Sequence, residues 1–110
     1  MPKPPDYSIQ ENIENLVVTI KSILVHHAER FKTKNLKNVF GFPVYFFPPH
    51  LKYLVEKGHL SRERSGGRKN ITYRYTVKDW KKLEDYYQEI IGRLPSEFVE
   101  RLLSEKEKFR

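Results

Sequence analysis

The sequence predicts a mainly α-helical chain with one small β-hairpin, an α+β fold in the order helix, helix, helix, strand, strand, helix, helix. Three observations predict it. Apolar residues recur at helical spacing from Ile9 to Phe31, and a leucine-rich stretch, HLKYLVEKGHL, is interrupted by a glycine. Directly after it, SRERSGGRKNITYRYT changes to the period of two expected of a strand and carries a Gly-Gly turn.

Met1 to Asp6 contains three prolines, so residues 1–7 read as a flexible N-terminal arm. Ser8 with Glu11 has the spacing of a capping box, each side chain satisfying the other's backbone N–H, and opens the first helix. Ile9, Ile13, Leu16, Val17, Ile20, Leu24, Ala28 and Phe31 form its stripe; Ile23 and Val25 fall off that stripe and imply a second apolar surface. Thr33 is the expected N-cap of the second helix, with Leu36, Val39 and Phe40 inward and Gly41 as a left-handed stop. The following FPVYFFPP cannot be helical throughout, because proline lacks a donor and restricts its predecessor. Pro48 or Pro49 belongs in the first turn of the third helix, which puts Leu51, Leu54 and Val55 on its core side and stops at Gly58.

Strands are expected over Leu60–Glu63 and Ile71–Thr76, with Ile71, Tyr73 and Tyr75 sharing the inward face and residues 64–70 turning between them. Thr76 with Asp79 caps a fourth helix whose stripe is Val77, Trp80, Leu83, Tyr87, Ile90 and Ile91, ending near Gly92. Residues 93–110 form a last helix with Phe98, Val99, Leu102, Leu103 and Phe109 on its apolar side. The organisation is therefore an arm (1–7), a domain over 8–92 and a C-terminal helix suited to dimerisation (93–110).

At 110 residues the chain has single-domain size and can bury a core without a disulfide or metal staple. It contains no cysteine, which excludes disulfides and thiolate metal sites. No apolar run reaches the length of a signal peptide or the roughly 20 residues of a membrane span, so a soluble cytoplasmic protein without membrane contact is expected. The formal charge is +7, and much of it is concentrated: Lys57, Arg62, Arg64, Arg68, Lys69 and Arg74 stand against Glu63 alone, a local excess of +5. Such a balance favours polyanionic partners.

On these residues the chain resembles the winged helix-turn-helix DNA-binding domains of ArsR, MarR and PadR type regulators. The likeness lies in FKTKNLKNVFGFP followed by HLKYLVEKGHLSRERSGGRKNITYRYT, roughly residues 31–76. It comprises an apolar pair in the second helix, a glycine in the turn, a recognition helix ending in a Gly-x-Leu step and a basic wing closing on tyrosine. The resemblance implies a third helix in the major groove of double-stranded DNA, a wing along the adjacent backbone or minor groove, flanking helices that dimerise, and transcription regulation. At the start of the recognition helix, where such domains carry small polar or basic residues, this chain has Phe46, Phe47, Pro48 and Pro49, which cannot make bidentate bonds to base edges. Base contacts must then come from Tyr45, His50, Lys52, Tyr53 or Lys57, and phosphate contacts from Arg62, Arg64, Arg68, Lys69 and Arg74.

Other chemistry is not announced. His26, His27, His50 and His59 lack the spacing of a metal site, and no Ser or Lys nucleophile is paired with a recognisable base, so neither an enzyme nor a cofactor or metal is expected. Tyr73 and Tyr75 suit core packing better than base stacking. Two other readings stay open: a winged helix serving as a protein-interaction module in a transcription, replication or chromatin assembly, and a sequence-independent binder of single strands or RNA. The expected protein is a homodimer, nucleoid-associated if the source is prokaryotic.

Overall fold

The computed structural model describes residues 5–67 and 71–101. The elements are α1 (Gln10–His26), β1 (Arg30–Phe31), α2 (Thr33–Phe40), a short 3-10 helix (Val44–Phe46), α3 (Pro48–Glu56), β2 (Leu60–Gly66), β3 (Thr72–Val77) and α4 (Trp80–Ile91), and residues 96–101 are again helical. This is an α+β fold of winged-helix kind. The helices enclose one core and the β2–β3 hairpin projects as the wing.

The expected capping box does not form, because Asp6 competes for its donor. Its carboxylate accepts from both the Ser8 N–H (3.0 Å) and the Ser8 hydroxyl (2.8 Å), and its carbonyl accepts from Asn12 Nδ2 (2.8 Å), so α1 begins at Gln10 with no side-chain cap. His27, at φ 50°, ends the helix in left-handed conformation, so Ala28 and Phe31 leave the stripe. Ile23 does not supply a second surface: it is buried with Leu16, Val17, Val18 and Ile20. Ile9 and Val25 remain exposed.

Helix α2 starts one residue earlier than expected at its cap. Lys32 occupies the N-cap, and its N–H donates to Asn35 Oδ1 at 2.8 Å, while Thr33 is the first helical residue. Gly41 closes the helix at φ 78° and Gly58 ends α3 at φ 84°, both in the region where a Cβ is strained. Pro48 and Pro49 occupy the first turn of α3, as the fixed proline φ favours. Phe47, Leu51 and Leu54 are fully buried beneath that helix.

The sheet has three antiparallel strands in the order β1–β3–β2. Two-residue β1 pairs Phe31 with Tyr75, and those rings stack at 5.7 Å. In the hairpin, Leu60, Arg62 and Arg64 face Val77, Tyr75 and Tyr73, with a register shift between Arg64 and Gly66. Strand β2 is longer than expected and β3 is shifted by one residue, so that Ile71 lies outside β3 with 54% exposure instead of facing the core.

Asp79 caps α4, accepting from the Lys82 N–H at 3.2 Å, while Thr76 lies within β3. Phe98 is buried in the common core, so this residue of the expected dimerisation helix serves the chain's own packing. Leu102, Leu103 and Phe109 lie outside the described residues. Among the described residues no helix is long and apolar enough to cross a membrane.

Truncating Leu54 to Ala should cost about 2 to 5 kcal/mol by loss of transfer energy and cavity formation. Ile71→Ala should stay within about 0.5 kcal/mol, as at other surface positions. Urea unfolding of the two variants checks the pair, and a comparable loss at both positions would contradict the placement of Ile71.

Candidate nucleic-acid interface

Burial of Phe47, His50, Leu51 and Leu54 on one side of α3 turns the opposite side outward, and that side carries Pro48, Pro49, Lys52 and Glu56. The wing stands beside it. Because residues opposite one another share a face, Arg62 and Arg64 lie on the same face as Tyr73 and Tyr75, whereas Arg74 opposes Glu63 on the other. The Arg62 guanidinium sits 4.3 Å from the Tyr73 ring centroid, a cation over the negative face of the ring. Arg64 bonds the Gly67 carbonyl at 3.2 Å, tying the exposed cation to the turn.

Between α3 and the wing lies a cleft of about 740 Å³. Its walls are mainly rings and aliphatic carbon, from Tyr7, Tyr53, Tyr73, Tyr75, Pro48 and Pro49, with Lys52, Glu56 and Arg62 supplying charge. The sequence did not reveal it. Tyr7 comes from the segment expected to be a free arm, and its position on α3 depends on a contact 43 residues away in the chain, for which local patterning has no signature.

The candidate site residues divide in the structure. Lys52, Arg62 and Tyr53 meet at the cleft. Lys57 is exposed at the end of α3, its Nζ 5.4 Å from the Tyr53 ring centroid. Tyr45, 82% exposed on the 3-10 turn, stands at the entrance to α3. Tyr53 is half-buried, with the Tyr7 ring 4.1 Å away, which limits its access to a base edge. Arg74 is placed on the wing's opposite face, and Arg68 and Lys69 lie outside the described residues.

His50 requires a correction. It is 4% exposed, and its Nδ1 lies 2.6 Å from the Tyr7 hydroxyl, so it faces the interior and cannot reach a groove. Burial holds the imidazole neutral, with its pKa down at about 4. Burial, reinforced by Tyr53, Tyr86 and Glu56, raises the Tyr7 phenol above its ordinary value. A protonated phenol and a neutral imidazole share this hydrogen bond, and the imidazole tautomer sets its direction. Among the described residues, no three His, Cys, Asp or Glu side chains gather where they could hold a metal ion.

Compared with family models and with curated proteins, the chain matches none. Among solved structures it is similar to one described as a possible transcriptional regulator from Methanosarcina mazei Go1, with 19% identity over 89% of this chain and 86% of that one and a TM-score of 0.48. A likeness at that score carries no argument about function, so the functional reading stands on the geometry of α3 and the wing.

The buried histidine has a pH consequence. Between about pH 6.5 and 4 the unfolded chain binds a proton at residue 50 that the folded chain refuses, so stability should fall by roughly 3 kcal/mol as pH drops through that window. His59, also held below its ordinary pKa by burial and then by Lys82, acts in the same direction. Urea unfolding at pH 7 and pH 4.5 should show a smaller pH effect in His50→Gln than in the parent; identical pH effects would contradict the assignment.

Proposed function

We propose that the chain is a homodimeric double-stranded DNA-binding protein that regulates transcription, and that it is not an enzyme. The observation that carries this reading is the placement of Lys52 on the outward side of α3 next to a wing bearing Arg62 and Arg64. A helix of this kind enters a major groove while the wing follows the adjacent backbone, its cations displacing counterions from phosphates. The proline-rich start of α3 leaves few side chains that can bond base edges. Lys52, Tyr45 and Lys57 are the exposed candidates there, so affinity depends mainly on phosphate contacts and sequence discrimination is modest. Exposed Val25 on α1 offers apolar surface to a dimer contact through that helix.

If the dimer contacts about 5 to 8 phosphates, log K should fall against log salt with a slope of roughly −5 to −7. Arg64→Ala should weaken a selected duplex and a scrambled one by a similar factor and flatten the slope by about one unit per lost contact, whereas Lys52→Ala should weaken mainly the selected one. Titrations across a salt series, with light scattering to establish a mass of two chains, test this. A slope near zero for folded protein would overturn the DNA reading, and a monomer that still binds would overturn the dimer alone.

A further inference from the structure

Two close-packed side-chain pairs stand in the cleft between α3 and the wing. On the helix side Tyr7 packs against Tyr53, with ring centroids 4.1 Å apart and the planes inclined at 40°. On the strand side the Arg62 guanidinium lies over Tyr73, 4.3 Å from its centroid. All four residues line the same cleft, and Lys52 shares it. These contacts already restrict the side chains, so less rotamer freedom remains to be lost when a flat ligand arrives. The volume, about 740 Å³, falls among those of sites that enclose small ligands.

We propose that this cleft receives one unpaired nucleotide of a DNA strand, at a duplex end or fork, with the base against the tyrosine rings and the phosphate against Lys52 and Arg62. The inference rests on the DNA-binding reading above and deepens it. The cleft combines planar aromatic and guanidinium surfaces with two cations, and a nucleotide combines a flat ring with an anion one sugar away. A purely apolar ligand would desolvate Lys52 and Arg62 without offering either of them an anion. Paired bases cannot enter, because they are stacked inside the duplex.

The remaining lining agrees with this occupant. Glu56, one helical turn beyond Lys52, offers an acceptor to an exocyclic amine and repels phosphate toward the cationic side. Ile71, 54% exposed at the edge of the cleft, provides an apolar side chain to pack on the last base pair beside the extruded nucleotide. Its exposure has no role in the chain's own core.

The test compares a blunt duplex with a forked duplex of the same sequence carrying 2-aminopurine at the first unpaired position. The forked DNA should bind at least about tenfold more tightly, the range expected from stacking one base on aromatic side chains, and its 2-aminopurine emission should fall on binding. Tyr73→Leu should bring the fork-to-blunt affinity ratio to about one, while Tyr73→Phe, which keeps the ring, should retain the preference; thermal melts establish that both variants fold. Equal affinity for the two parent duplexes would overturn the inference and leave duplex binding intact. Binding of forked DNA with none of blunt duplex would support the cleft and sink the duplex reading, and binding of neither would sink both. A free deoxynucleotide monophosphate that displaces the fork at micromolar concentration would make this a mononucleotide site and overturn the assignment to a strand.

Discussion

The structure depends on how one side of α3 is buried. Phe47, His50, Leu51 and Leu54 all point inward, and a helix so short has no other apolar stripe that could compete for the core. Their burial sets the rotation of α3 about its axis and thereby places Lys52 and Glu56 outward. A polar imidazole in that set would be costly without a partner, and the Tyr7 hydroxyl provides one at 2.6 Å. The end of the N-terminal segment is thus bound to the same helix whose outer side lines the cleft.

The wing is fastened to this helix by its inward face. Leu60 and Tyr75 are buried, Tyr75 stacks on Phe31 of β1, and β3 lies between its two neighbours. Further out along the same face the alternation that buries Tyr75 also directs Tyr73 and Arg62 into the cleft. Core packing and an aromatic lining are therefore not alternatives for these tyrosines: Tyr75 belongs to both, and half-buried Tyr73 shows how the core grades into the cleft. Cations on this face gain direction from the rings, while Arg74 opposes an acidic neighbour on the other face.

Much of this was legible because it is local. Gly41 and Gly58 stop their helices through positive φ, the two prolines start α3, and Asp79 caps α4, each a matter of neighbouring backbone. What the residues did not disclose is non-local. Strand β1 is two residues long and exists through pairing with β3, and Ile23 and Phe98 found places in a core shared by distant elements. Ser8 had the spacing of a cap, but Asp6 was a nearer acceptor. His50 reads as a polar residue at the start of a recognition helix; only its partner, Tyr7, reveals that it is interior. The candidate interface was correspondingly half legible: Lys52 and Arg62 were candidates from the sequence alone, whereas the cleft that both line required the position of the N-terminal segment.

The central claim is that outward α3 and the wing act as one DNA-binding face. Its most direct test is a backbone-amide NMR titration of the full chain with a duplex at moderate salt. The account predicts that the largest shifts fall on residues 44–57 and on β2 and β3, with Lys52, Arg62 and Arg64 among them, and that exposed positions of α4 such as Glu84 and Asp85 change little. Shifts concentrated on α1 and α4, with α3 and the wing unmoved, would contradict it.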